Sequence, residues 1–478
     1  MNSKRATIIF YIIIVIGSSG ILFSSCKEKP MDGMIIFTEV PGKPKDINYV
    51  TGNSWRYVPQ ARIVALNTDK AGGSLKVLTA DFYSARSPEI SDDGQYLLFT
   101  AQKKQNDPWQ IWEMNLANSK TRQVTSSLEN CIDPAYLPGS RLVFSKSAVK
   151  DSLKAGHSLY TCNLDGSNIK RITFNPHTYF ASTVLKDGRV LTISRQLYPD
   201  LRDPVLLILR PDGTKAEMFY KGINGSTLSS CGCETVNGKI LFIESDTNNA
   251  GGGDVISINY NRPLHSRVNL TAGIAGDFNA VFPLQSGKLL VSYRKSEADQ
   301  YTLYQFDPES KVLGQSLYNN KDFEILEAVV VEKKVTPKKL PSEVDMGSKT
   351  GLLLCQNISI LEKQASGNAS SSMKACKIEV LGIDSTLGIV QVEEDGSFYL
   401  KVKADEPFQI RTMDKDSHVL QGPCGWIWLR PNERRGCIGC HEDHELVPDN
   451  SVPLAVKKSP VIIPVHISKV TEKKISLE

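Results

Sequence analysis

Six stretches of this 478-residue chain share one layout: "DGMIIFTE" (32–39), "DGQYLLFTA" (93–101), "PGSRLVFSK" (138–146), "DGRVLTISR" (187–195), "NGKILFIES" (237–245) and "SGKLLVSYR" (286–294). Each places a turn glycine (Gly33, Gly94, Gly139, Gly188, Gly238, Gly287) before a short apolar run. The first interval is 61 residues and the others are 45, 49, 50 and 49. A unit of that size cannot bury its own apolar face, so such repeats stack on their neighbours. The interval is that of a propeller blade. A second element, strand then polar turn then strand, recurs between them, as in "RIVALNTDKAGGSLKVLT", "SLYTCNLDGSNIKRIT" and "TLYQFDPESKVLGQSL". Six copies of each element predict an all-β chain built on a six-bladed β-propeller. A β-sandwich or two unrelated β domains are the rival readings.

The strand that precedes the glycine elsewhere ("SPEIS", "FNAVFPL") is missing before Gly33. "DFEILEAVVVEKK" (322–334) follows the sixth repeat with the right pattern to supply it. The two ends of the repeat region would then pair and remove an exposed strand edge. The propeller is accordingly expected over 33–334. Residues 335–349 have the proline and polar content of a linker. Beyond them, "CKIEVLGI", "GIVQVEEDGSFYLKVKADEPFQIRTMD" and "HVLQGPCGWIWLRP" alternate apolar and polar residues around turn signals, which predicts a small β-sandwich-like domain over 350–478.

The first 25 residues read as an export signal, with Lys4 and Arg5 before an apolar run from Ala6 to Val15. "LFSSC" looks like a bacterial lipobox ending at Cys26, although Phe23 departs from the usual leucine. Cys26 is the expected lipidation site and 26–32 a tether, placing the folded part outside the cytoplasm, in the periplasm or at the cell surface, with the membrane reached through the lipid. An uncleaved membrane anchor is the alternative, but the apolar run is shorter than the roughly 20 residues a span needs. Basic and acidic residues number 56 and 52, for a net charge of +4, spread without a basic stripe. Nucleic acid is therefore not an expected partner.

"RRGCIGCHEDHE" (434–445) holds Cys437, Cys440 and His441 in the order C-x-x-C-H. With 10 Cys and 7 His in the chain, chance gives roughly 0.003 occurrences of this pattern, which is that of c-type haem attachment. Two thiols at this spacing can each form a thioether with a haem vinyl, and the next residue presents an imidazole to the iron. Zinc is the rival, with His444 and a carboxylate of Glu442, Asp443 or Glu445 completing the ligands. A structural or redox thiol pair is the third reading. Of the remaining cysteines, Cys355 and Cys376 flank a polar stretch and are the expected disulfide; the "CGC" at 231–233 reads as structural or disulfide-linked. His157, His177 and His265 fall in propeller loops without metal spacing. Trp426 and Trp428 are read as core or as a haem wall, Arg434 and Arg435 as haem-propionate partners or a solvated turn. Met413, His418 and His466 are possible distal iron ligands.

"SPEISDDGQYLLFTA" (87–101) resembles the TolB-type propellers, which implies a scaffold and no particular reaction. "VEEDGSFYLKV", "PFQIRTMD", "GWIWLRPNERRGCIGCHE" and "PLAVKKSP" resemble the middle domain of the hydrazine synthase alpha subunit family. That resemblance implies a six-bladed propeller before the domain, haem c on Cys437 and Cys440, and His441 as the motif histidine. In the family the middle-domain haem is tied to tyrosine ligation, with the motif histidine turned to zinc. No tyrosine follows Tyr399 here, and only 37 residues follow His441, where the family has a further haem domain. Hydrazine synthesis is not inferred, and no catalytic residue is assigned. The expectation is a lipid-anchored extracytoplasmic haem c protein in electron transfer or redox chemistry, with the propeller as platform for an unidentified partner or substrate. The alternative is a non-catalytic binding or assembly lipoprotein whose motif holds zinc or is structural.

Overall fold

The computed structural model describes residues 31–68, 74–148, 156–223, 225–245, 252–359, 375–439 and 450–465. The expected export signal, Cys26, Cys440, His441, His444 and His466 lie outside them.

The apolar runs after the turn glycines are strands buried on both faces: Tyr96–Gln102, Arg141–Ser147, Val190–Gln196, Lys239–Ser245 and Leu289–Arg294 carry almost no exposed residue. A continuous apolar run of this length, rather than an alternating one, is what a strand packed between two layers requires. Each is the second strand of a four-stranded antiparallel sheet. Sheet II runs Ser84–Ile90, Tyr96–Gln102, Gln110–Asn115, Thr121–Gln123; sheet III starts at Cys131–Leu137, sheet IV at His177–Val184, sheet V at Thr227–Glu234 and sheet VI at Asp277–Pro283. Sheet I takes its first strand from the far end of the region. Phe323–Val330 pairs antiparallel with Ile35–Pro41, which pairs with Arg62–Asn67 and so to Ser74–Val77.

The first strands touch in the order II, III, IV, V, VI, and Asp277–Pro283 of sheet VI touches Phe323–Val330, which touches Ser84–Ile90 of sheet II. The six sheets thus form a closed, propeller-like ring. The six turn glycines all have positive φ, from +69° at Gly94 to +90° at Gly188, a conformation that other residues adopt only at a cost. At Gly188 a side chain is excluded twice over, since a Cβ there would lie 2.0 Å from the Lys338 carbonyl oxygen.

Most first strands bulge at one position, and four non-glycine residues near these bulges have positive φ: Ser87 (55°), Asp133 (52°), Ala181 (52°) and Glu327 (54°). Two of them use their side chains to fasten the next sheet. Glu327 Oε2 accepts the Ser87 N–H at 2.9 Å and the Thr38 hydroxyl at 2.9 Å; Asp133 Oδ2 accepts the Ala181 N–H at 2.7 Å. The bulged strands surround a central cavity of about 740 Å³, whose wall includes Arg56, Arg86, Asp133, Ser229, Glu324 and Glu327.

The linker is more than a spacer. It crosses one face of the ring, with the Lys334 N–H on the Asp92 carbonyl (2.8 Å), the Lys338 N–H on the Lys186 carbonyl (3.0 Å) and the Glu343 N–H on Asp212 Oδ2 (2.7 Å). Val335 and Pro337 form part of the cavity wall. The sequence shows its proline and lysine content, not the surface it lies on.

After the linker come two four-stranded sheets. One is ordered Arg434–Cys437, Thr350–Cys355, Phe398–Lys403, Val461–Ile462; the other Thr386–Gln391, Lys377–Leu381, Gln409–Met413, Val419–Gln421. They share one apolar core, with Leu353, Leu400 and Val402 from the first against Ile378, Val380, Val390 and Ile410 from the second. This is the sandwich-like arrangement expected from the alternating pattern.

Candidate functional site

The segment before the motif is fastened to the ring by a buried carboxylate. Glu433 is 1% exposed and accepts from the Arg430 N–H (2.8 Å), from Arg435 Nε (3.0 Å) and Nη2 (2.7 Å), and from the Lys215 N–H of sheet IV (2.8 Å). Hydrogen bonds to an ionised group are roughly twice as strong as neutral ones. Arg430 lies over the Phe174 ring at 4.6 Å and donates from Nε to the Asp212 carbonyl at 3.0 Å; Arg435 donates from Nη1 to the Ala216 carbonyl at 3.2 Å. Trp426 Nε1 donates to the Tyr198 carbonyl at 2.7 Å. The stretch from Trp426 to Arg435 therefore docks on sheets III and IV and fixes where the motif begins.

Cys437 ends the edge strand Arg434–Cys437, half-buried, with its apolar side against the sandwich core. This strand runs parallel to Thr350–Cys355 with Leu352, Leu353, Leu354 and Cys355 opposite Arg434, Arg435, Gly436 and Cys437. The pairing continues past the strand end, since the Gln356 N–H donates to the Cys437 carbonyl (2.9 Å) and the Asn357 N–H to the Ile438 carbonyl (3.0 Å). The first motif cysteine is thus held rigidly. Cys440 and His441, the other two members, lie outside the described residues.

Several expectations change. Cys355 and Cys376 are not bonded to each other. The polar stretch between them joins the two different sheets of the sandwich, with Cys376 leading into Lys377–Leu381 and Cys355 closing Thr350–Cys355. Cys233 of the "CGC" is likewise not in a disulfide; its thiol points at the Val281 carbonyl at 3.4 Å. Arg435 is committed to Glu433 and the ring, so of the two arginines only Arg434 presents an exposed side chain. Trp426 (7% exposed) and Trp428 (1%) are packed in the interior. His157 and His177 open strands, the first buried and the second half-buried with its ring packed inward. Burial pushes their imidazoles down to about 4 and about 3, so both are neutral at ordinary pH. Met413 is buried in the second sheet, and His418 is exposed beside Asp414, its Nδ1 3.1 Å from Oδ2.

The central cavity holds a cluster of buried charge, which sequence reasoning missed. Arg56 Nη1 and Arg86 Nη2 both meet Glu327 Oε1, the former at 3.0 Å, and Arg56 Nε lies 3.4 Å from Asp133 Oδ2. Burial works against ionised Glu327, but Arg86 and Arg56 overcome it and hold the carboxyl down to about 2. Glu324, by contrast, is raised by burial, and its Oε1 has no hydrogen-bond partner among the described residues.

Residues 320–442 match the family model of the hydrazine synthase alpha subunit middle domain. The matched segment begins at the ring-closing strand and ends just past the C-x-x-C-H motif. That segment, about a quarter of the chain, is similar to the middle domain of the hydrazine synthase alpha subunit. The chain is 22% identical over 540 aligned residues to hydrazine synthase subunit alpha of Kuenenia stuttgartiensis, an alignment covering 85% of this chain and 65% of that protein. The chain thus spans about two thirds of that relative's length. The solved structure of Kuenenia stuttgartiensis hydrazine synthase superposes with a TM-score of 0.77 at 20% identity, over 89% of this chain and 71% of that one, which shows a shared fold. TolB from Acinetobacter baumannii matches at a TM-score of 0.45 and 14% identity, over 64% of this chain and 67% of its own.

Proposed function

We propose that this chain is an exported, lipid-anchored haem c protein that serves in electron transfer or redox chemistry, with a six-bladed propeller as the platform for a partner protein or substrate. The observation that carries the reading is the placement of the C-x-x-C-H motif: Cys437 sits at the end of a strand fixed to the ring through Glu433, inside the segment that matches the hydrazine synthase alpha subunit middle domain. The donor set suits haem c, because Cys437 and Cys440 would hold its vinyl groups by thioethers and His441 would face the iron. When bound, haem would supply the one-electron chemistry. This chain's residues hold and orient: Cys437 is fixed by its strand pairing, Arg434 offers an exposed cation to a propionate, and the ring presents the broad surface on which a partner could seat. The Kuenenia stuttgartiensis relative is a subunit by name, which supports a protein partner here.

The pyridine haemochrome spectrum of the chain, expressed with a cytochrome c maturation system, is expected to show covalent haem, lost in Cys437→Ala and Cys440→Ala. Zinc without iron on elemental analysis of that preparation would overturn the reading. Lipidation has its own test. Cys26→Ala is expected to abolish incorporation of a labelled fatty acid and to release the protein from the membrane fraction; a labelled or membrane-bound variant would remove Cys26 from the scheme.

A further inference from the structure

The register that holds the motif brings a third thiol to it. Cys355 and Cys437 are direct partners across two parallel strands. Neighbouring strands lie about 4.8 Å apart, and a disulfide accepts Cα separations of roughly 4.4–6.8 Å. Partners in register project their side chains to the same side of a sheet, and both cysteines pack on the same apolar cluster, that of Leu353, Ile358 and Phe398. Their accessibilities differ. Cys355 is 2% exposed, whereas Cys437 is half-buried on the edge strand. Cys437 is the thiol that solution reaches first, and Cys355 is the one waiting behind it.

We propose that Cys355 and Cys437 form a reversible disulfide that takes the first motif cysteine out of use. The chemistry is thiol–disulfide exchange with a disulfide oxidant, either oxidised glutathione or a protein disulfide. The Cys437 thiolate attacks the oxidant's disulfide, forming a mixed disulfide and releasing one thiol. The Cys355 thiolate then attacks the Cys437 sulfur and displaces the second. Both cysteine thiols lose their protons, two electrons pass to the oxidant, and the oxidant leaves as two thiols. In the bonded state the Cys437 sulfur is unavailable for a thioether or a metal bond, and a dithiol reductant restores it. The device depends on the strand register and acts on the chain before any group is attached at Cys437.

The test uses the full chain produced without haem maturation, oxidised with glutathione disulfide, alkylated and digested with trypsin under non-reducing conditions. In Cys440→Ala, the peptide containing Cys355 is expected to be joined to the peptide containing Cys437 in most molecules and to separate on reduction. In Cys437→Ala, Cys355 is expected to stay alkylatable. In Cys355→Ser combined with Cys440→Ala, the reaction should stop halfway, with glutathione accumulating on Cys437 several-fold over Cys440→Ala alone. Two results would overturn the proposal: Cys355 remaining alkylatable in oxidised Cys440→Ala while Cys437 carries glutathione, or Cys355 cross-linking equally well to Cys440 in Cys437→Ala. Melting curves of each variant, matched to the unaltered chain, exclude misfolding as the source of a link. Haem attachment is scored separately by the haemochrome, so failure of either reading is distinguishable from failure of the other.

Discussion

A chain ending at residue 321 is expected not to fold, whereas one ending at 344 is expected to melt cooperatively. The shorter chain lacks Phe323–Val330, and with it the partner of Ile35–Pro41 and the buried side chains of Ile325, Leu326, Val329 and Val330. Burying an aliphatic side chain of this kind is worth about 1.5–3 kcal/mol. Four of them sum to on the order of 6–12 kcal/mol, which is comparable with the whole stability of a typical domain. The loss also leaves sheets VI and II without the strand both touch, and exposes an unpaired edge along Ile35–Pro41. Circular dichroism melts of the two truncations decide it. Equal melting temperatures would show that the ring does not depend on closure by its two ends.

Removing Glu327 is expected to be nearly as damaging from a single position. Glu327→Ala leaves the guanidinium groups of Arg56 and Arg86 buried without the carboxylate both contact. Breaking a buried ion pair in this way costs about 3–5 kcal/mol. The pH dependence carries a sign. Arg86 and Arg56 hold the carboxyl at about 2 against its ordinary 4.5, so its contribution, on the order of 3 kcal/mol at roughly 1.36 kcal/mol per pH unit, is fully present above pH 4.5. It falls away as pH drops from 4.5 through 2, because there the unfolded chain binds the proton that the native chain refuses. Glu327→Gln should flatten the stability curve across that window. Denaturant titrations from pH 2 to 6 measure it, and parallel curves for the two proteins would sink the account.

The turn glycines and the closing strand could be read from the sequence because each meets a strong local constraint. A positive φ after a strand selects glycine, and an open ring with one strand missing selects the only leftover strand pattern. The bulge at Glu327 could not be read, because a left-handed glutamate has no distinctive neighbours in "EILEAVV". Its role depends on Arg56 and Arg86, which lie 271 and 241 positions away. The cysteines make the same point in reverse. Cys355 was paired with Cys376 because the two are close along the chain, but the chain between them changes sheets. The residue that does lie beside Cys355 is Cys437, and parallel pairing leaves no hairpin signal by which to find it. Glu433 carries no local signal of its own, and only the tertiary structure shows it buried against Lys215.

The ring is closed by strands from its two ends, and synthesis makes those ends at different times. Ile35–Pro41 is made early and its inner partner only about 280 residues later. At translation rates of about 5–20 residues per second, that strand waits for roughly 15 to 60 s. Throughout that interval it offers Ile36, Phe37 and Val40, all fully buried in the finished ring, to whatever lies nearby. The C-x-x-C-H motif appears later still, about 100 residues behind the closing strand. Any chemistry on its cysteines therefore acts on a chain whose ring has already had the chance to close, and a cell making this protein must shield one apolar strand for roughly 15 to 60 s before its other end arrives.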